Sequence, residues 1–250
     1  MTLRRFFDDV PDPERSLVVL NRTSPDPIQR MLGNLFENQP IPIEEVTLPD
    51  SGDDVVAVVE DGSIIAQSSL EELQDSILLI NSDLFVTGTR DLSDISLPDA
   101  LARLDDVPFR LRGYPASHSE KLLLILLSRY IERTAWERGV GTLRASFQDL
   151  SRIEDEVGTH RVYRTLDTTP VDVHVYGSPG WEPPPDSEIT AHAGYSEDFL
   201  RSWFVVYTDP SGNEDIALLA LEDEPNEWLG FWTYQRDRIE AINEYIMRTL

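Results

Sequence analysis

Four histidines, His118, His160, His174 and His192, are the side chains of this chain best suited to move a proton or hold a metal near neutral pH. None has a second histidine at helical i,i+4 spacing, and no H-E-x-x-H is present. His174 and His192 fall in two segments that read as strands, so with a carboxylate they could ligate a metal. The alternative is that each makes an ordinary hydrogen bond within a sheet. There is no cysteine, which removes thiolate catalysis, disulfides and cysteine metal sites. No G-x-S-x-G is present, and Gly139-Val-Gly141 follows a helical pattern instead of opening one after a strand, so a phosphate loop is not indicated. The acidic run Ile153-Glu-Asp-Glu156 reads as a solvated helix end.

The remaining chemistry is aromatic with a few polar groups. Trp136, Tyr163, Tyr176, Trp203 and Trp232 lie in regular segments, and Arg133, His174 and Glu222 are the polar residues expected near them. Two readings stay open: a large aromatic core, or an apolar pocket for a small molecule with those polar groups fixing its orientation. A hydrolase cleft using His174, Glu222 and Arg133 is a further alternative. Trp181, beside Pro183-Pro-Pro185, could be a lid or a contact for a partner protein.

These residues must be placed by elements that the sequence marks. In the first half, residues 1–105, Ser16-Leu-Val-Val-Leu-Asn21 reads as a buried strand. Pro25 and Pro27 open a helix with Ile28, Met31, Leu32, Leu35 and Phe36 on one stripe. Two β-rich runs flank Asp61-Gly62, predicting a hairpin, and Ser69-Leu-Glu-Glu72 is a capping box for a short helix ending near 77–79. The proline-bearing stretch around 95–110 is the boundary candidate. Residues 106–250 open with a second Ser-x-x-Glu, Ser117 to Glu120, before an apolar helix over about 118–138 that Gly139 stops. Helices are expected over 143–153, with Thr142 as N-cap, and over 158–166. Strands follow at 171–177, 188–194, 202–209, 215–223 and 226–235, then a closing helix over 236–249. The order predicts an α+β fold: a mainly antiparallel sheet with helices packed on one face, sensor-module-like, preceded by a smaller α/β half.

The chain is 40% hydrophobic, enough for one large domain or two small ones, and its net charge is −25. Of its 21 basic residues only Lys121 is lysine. Acid spread along the whole chain with arginine almost alone opposing it suits a protein adapted to high salt; an acidic partner-binding surface is the alternative. Direct nucleic-acid binding is disfavoured by this charge. The longest apolar run, Leu122 to Leu127, is far too short to span a membrane, and the N-terminus has no apolar run of signal length, so a cytoplasmic protein is expected.

The segments LLLILLSRYIERTAWERGVGTLRASFQDLSRI, RVYRTL, VDVHVYGSPGW, RSWFVVYTD, ALLALE and EWLGFWTY resemble the DICT sensory domain. The resemblance covers roughly 110–250 and is nearest to the stand-alone form of halophilic archaea, in keeping with the lysine-poor composition. It implies a signal-sensing, ligand-binding module. No catalytic residue carries over from it, and it names no cofactor. The ligand is therefore an unidentified small molecule, with a signalling partner protein or a second copy of the chain receiving the signal.

Overall fold

The computed structural model describes residues 2–24, 41–49, 51–85, 92–112 and 121–250. The helix expected after Pro25 and the capping box expected at Ser117 to Glu120, with His118, lie outside those residues.

A four-stranded sheet is built from β1 (Arg15–Leu20), β2 (Ile43–Val46), β3 (Val55–Glu60) and β4 (Ser63–Ser69) in the order β2-β1-β3-β4. The predicted hairpin is β3–β4; Asp61 (φ 50°) and Gly62 (φ 74°) both take the left-handed conformation that a two-residue turn between twisted strands requires. The capping box forms as well: the Ser69 amide donates to Glu72 Oε2 (2.8 Å) and the Glu72 amide to Ser69 Oγ (3.1 Å). The helix it starts, α1 (Leu70–Phe85), is longer than expected, running on past Ile77 to Leu79. One turn of helix, α2 (Asp99–Ala102), follows.

The larger sheet has seven strands. In chain order they are β5 (Phe109–Arg112), β6 (Thr142–Asp149), β7 (Asp172–Ser178), β8 (Thr190–Ala193), β9 (Ser202–Thr208), β10 (Ile216–Glu224) and β11 (Glu227–Thr233), arranged β5-β11-β10-β9-β6-β7-β8. The α+β class is as the sequence predicts. Two details differ. The pairs β6–β7 and β7–β8 are parallel, making the sheet mixed, and helices cover both of its faces. On the first face lie α3 (Lys121–Arg138) and α5 (Val157–Leu166), the latter preceded by the single turn α4 (Arg152–Asp155). On the second face lie the C-terminal α7 (Arg236–Thr249), the turn α6 (Glu197–Leu200) and the 3-10 segment Leu3–Phe7.

The segment 142–149 is a strand, correcting the expected helix and the expected N-cap role of Thr142. Leu143, Phe147 and Leu150 fit a helical stripe, but Leu143 and Ala145 also fit the first face of a strand, with Arg144 and Ser146 on the other. Pairing with β7 on one side and β9 on the other decides for the strand, since tertiary pairing outweighs local preference. Gly141 (φ 94°) sits where a Cβ would strike the carbonyl of Thr208, so only glycine lets β6 enter beside β9.

One apolar cluster runs continuously from Leu17, Val56 and Val58 of the smaller sheet through Leu73 of α1 and Leu127 of α3 to Leu143, Val173 and Leu218. A second cluster, with Leu3, Phe204, Leu219, Phe231 and Ile242, fills the other face. Among the described residues no helix is long and apolar enough to cross a membrane.

Candidate functional site

The strands β6, β7 and β8 have two very different faces. Toward α5 they present Leu143, Ala145, Val173, Val175 and Ala191, all within or against the main core. Toward the opposite side they present Arg144 and Ser146, then Asp172, His174 and Tyr176, then Thr190 and His192. Register aligns Arg144 with His174 and Thr190 in one row, and Ser146 with Tyr176 and His192 in the next. The alternation of side chains along a strand thus puts a polar floor back to back with an apolar core.

The floor is hydrogen-bonded. Asp172 Oδ2 lies 3.0 Å from His174 Nε2, and His174 Nδ1 lies 3.0 Å from His192 Nε2. A proton on His174 Nε2 satisfies Asp172, and His174 Nδ1 then accepts from His192. The His192 ring stacks on Tyr176, with centroids 4.4 Å apart and planes 6° from parallel. Burial, then the neighbouring His174 and Arg144, lowers the His192 pKa from its ordinary value. Burial raises that of the Tyr176 hydroxyl, against the pull of Arg144.

Arg144 is the centre of the arrangement. It is 6% exposed, donates from Nε to Asn243 Oδ1 of α7 (2.8 Å) and from Nη1 to the Tyr176 hydroxyl (2.8 Å). Both partners are neutral, and Arg144 makes no ion pair with any described carboxylate. Helix α7 packs over β9 and β10, and α6 over the adjacent part of β6 and β7; His174, His192 and Asn243 remain half-buried at the rim.

No protein-family model, curated protein or solved structure matches this chain.

Of the eight residues the sequence singles out, the fold brings His174 and Tyr176 together on this floor. The others lie elsewhere. On the first face, Tyr163 is buried and donates to Glu132 Oε1 (3.0 Å), Trp203 Nε1 donates to Ser128 Oγ (3.0 Å), and Trp232 packs on Phe109 with centroids 5.6 Å apart. Trp136 is half-buried against the same core. Arg133 pairs with Glu137 (2.8 Å) and reaches the Ile95 carbonyl. These aromatics form packed core, so they do not enclose one pocket with Arg133. Glu222, at the end of β10, lies 3.5 Å from Arg201 and accepts from the Asn226 amide (2.8 Å). Register puts the row of His174 at Ala217, so Glu222 is five residues further along, ~17 Å of strand. It also points to the other face. His174, Glu222 and Arg133 therefore form no common cleft, which removes the geometry a hydrolase reading needs. No group of three metal-ligating side chains occurs among the described residues.

Arg144, Asn243 and Asp172 are the site members that were not singled out; His192 was named only beside His174 as a possible metal ligand. The signal for Arg144 was its place in a segment whose strand alternation was hidden by a helical stripe. On the opposite side of the same edge, Trp181, Pro179, Pro183, Leu150 and Ala191 line a cleft of about 640 Å³. Trp181 there packs against the core as well as facing the cleft.

Proposed function

We propose that this protein is a cytoplasmic sensor that binds a small ligand on the polar floor around Arg144 and does no chemistry on it. The observation that carries the reading is a buried arginine charge with neutral partners, at the rim of which two histidines remain reachable. A purely structural sheet face would be sealed with apolar side chains, as the other face of the same strands is. The neighbouring hydroxyl supports binding rather than catalysis. Ser146, in the row beside Tyr176, donates to the Ser202 carbonyl (3.2 Å) and accepts from the Phe204 amide (2.7 Å). No hydroxyl hydrogen-bonds to either imidazole among the described residues. The resemblance of residues 110–250 to the DICT sensory domain supports the same reading. Asn243 couples the floor to α7, so a ligand pulling on Arg144 would shift the C-terminal helix and the surface it offers to a partner or a second copy.

The test is to purify the protein in high salt, denature it and identify released small molecules by mass spectrometry. A thermal-shift screen would run beside it, and the imidazole resonances of His174 and His192 would be followed by NMR. A bound or stabilising compound that moves those two resonances is expected. A broad screen in which nothing moves them would sink the reading.

A further inference from the structure

We infer that the group recognised on this floor is a small oxyanion, a phosphate or carboxylate borne by the ligand, held by Arg144 with Asn243, Tyr176 and the His174–His192 pair around it. The inference deepens the ligand-binding reading above and rests on it.

Donors outnumber acceptors on this floor. Only two N–H groups of the Arg144 guanidinium have partners, Nε–H on Asn243 and one on Nη1. The remaining guanidinium protons, the Nδ2 protons of Asn243 and the hydroxyl proton of Tyr176 have no acceptor among the described residues. The floor's one carboxylate, Asp172, is turned to His174 and is 60% exposed at its side chain. The cluster is therefore rich in donors and poor in acceptors, with one full positive charge at its base. Its spare acceptors are few: the second oxygen of the solvent-facing Asp172 and Nδ1 of neutral His192. An oxyanion satisfies all of these donors, and a planar guanidinium matches its paired oxygens. Protonation of His192 turns its Nδ1 from acceptor to donor and adds to the same preference.

The composition sharpens the point. The chain has 46 acidic residues, and α7 carries Glu240 and Glu244 on either side of position 243. Those two pair with Arg236 (2.7 Å) and Arg248 (3.3 Å). The position that touches Arg144 is asparagine, so of the two arginines buried among the described residues Arg144 is the one without a carboxylate partner. A polyanion is a different matter: the net charge of −25 repels it, and the floor offers one buried arginine rather than a basic track.

The experiment titrates inorganic phosphate, and separately acetate, into the whole protein at constant ionic strength, by calorimetry and by NMR of the histidine imidazoles. Saturable binding with shifts at His174 and His192 is expected for at least one anion, and the arm that binds more tightly identifies the group. Arg144→Gln abolishes it. Because that variant touches a buried position, Asn243→Asp is measured beside it. It supplies a carboxylate to Arg144 while keeping the fold, checked by circular dichroism. It should weaken the anion by about tenfold or more, as expected for losing one charge-assisted hydrogen bond. Unchanged anion affinity in Asn243→Asp overturns the inference. So does a neutral or amine compound moving the two imidazoles when neither anion does, although the ligand-binding reading then stands. Binding of an oligoglutamate peptide without either small anion overturns it in favour of a partner's carboxylate. If no compound of any class moves them, both fail together.

Discussion

Two arginines are buried among the described residues, one on each side of the seven-stranded sheet, and they are held in opposite ways. Arg129 (8% exposed) lies on the first face in α3. It meets Glu132 at 2.6 Å and Thr159 at 2.9 Å, while the other oxygen of Glu132 accepts from Tyr163 at 3.0 Å. Burial, with Glu132 alongside, pushes the Tyr163 hydroxyl well above its ordinary pKa, so it stays a donor. In that network charge meets charge, and the bonds from the pair to Thr159 and Tyr163 tie α3 to α5. Arg144 (6% exposed), on the second face, meets only an amide and a phenol. Burial alone therefore does not separate a structural arginine from a binding one. The identity of the counter-group does, because desolvating a charge without a counter-ion costs stability that only a ligand returns.

The strongest way to break this comparison is to remove the counter-ion of Arg129. Glu132→Leu leaves Arg129 charged and buried and strips Tyr163 of its acceptor. A loss of about 3–5 kcal/mol in unfolding free energy is expected from denaturant titration. A loss below about 1 kcal/mol would mean that Arg129 tolerates an uncompensated charge as Arg144 does, and the contrast would collapse. The reverse change comes next in size. Asn243→Asp should raise stability by about 1 kcal/mol, since a hydrogen bond to a neutral oxygen becomes one to a charged oxygen. A gain in stability at the expense of anion binding is the usual relation between a site and its scaffold. Arg144→Leu should change stability by less than about 1 kcal/mol. It relieves an uncompensated charge while costing Asn243 and Tyr176 one hydrogen bond each, and the two effects oppose one another. Measured together, the Glu132 and Arg144 variants should differ by at least about 2 kcal/mol.

The two faces were also unequally legible from sequence. Elements with strong local chemistry could be read directly: Asp61-Gly62 for the hairpin, Ser69 and Glu72 for the cap, and Val171, Val173 and Val175 for a strand with His174 and Tyr176 on its other side. Strand β6 could not. Its Leu143, Phe147 and Leu150 satisfy a helical spacing, and only its neighbours β7 and β9 make it a strand. Arg144 was lost with it, because a helix would have set it far from His174. The parallel order β6-β7-β8 has the same cause: sheet order depends on contacts distant in sequence, which no local window contains. His174 and Tyr176, alternate residues of one strand, were found together, and His192 was named beside His174. Arg144, on a strand with a helical stripe, and Asn243, on the last helix, needed the fold.

The smallest expected effect is a pH dependence confined to the second face. His192 has a folded pKa below its unfolded value of about 6.5, chiefly through burial and then through His174 and Arg144. The unfolded chain thus binds more protons at this residue than the folded one. Its contribution is fully present above pH ~6.5 and is lost as pH falls through the folded value, so stability should fall on acidification below about pH 6.5. The carboxylates held low act lower. Asp54, where hydrogen bonds from Thr23 and Ser24 overcome burial, is at about 2, and Asp149, Asp209 and Asp223 are also below their ordinary value. Their contributions are lost only below about pH 4. Asp105, raised by burial, has the opposite sign. The His192 part is therefore read as a difference between the wild type and His192→Asn, each unfolded by denaturant across the range. The variant should have the flatter profile, while the Glu132–Arg129 pair, on the far side of the sheet, leaves that difference unchanged. Parallel profiles would show that neither burial nor His174 and Arg144 lowers the His192 pKa, and the floor would lose its claim to act as one site.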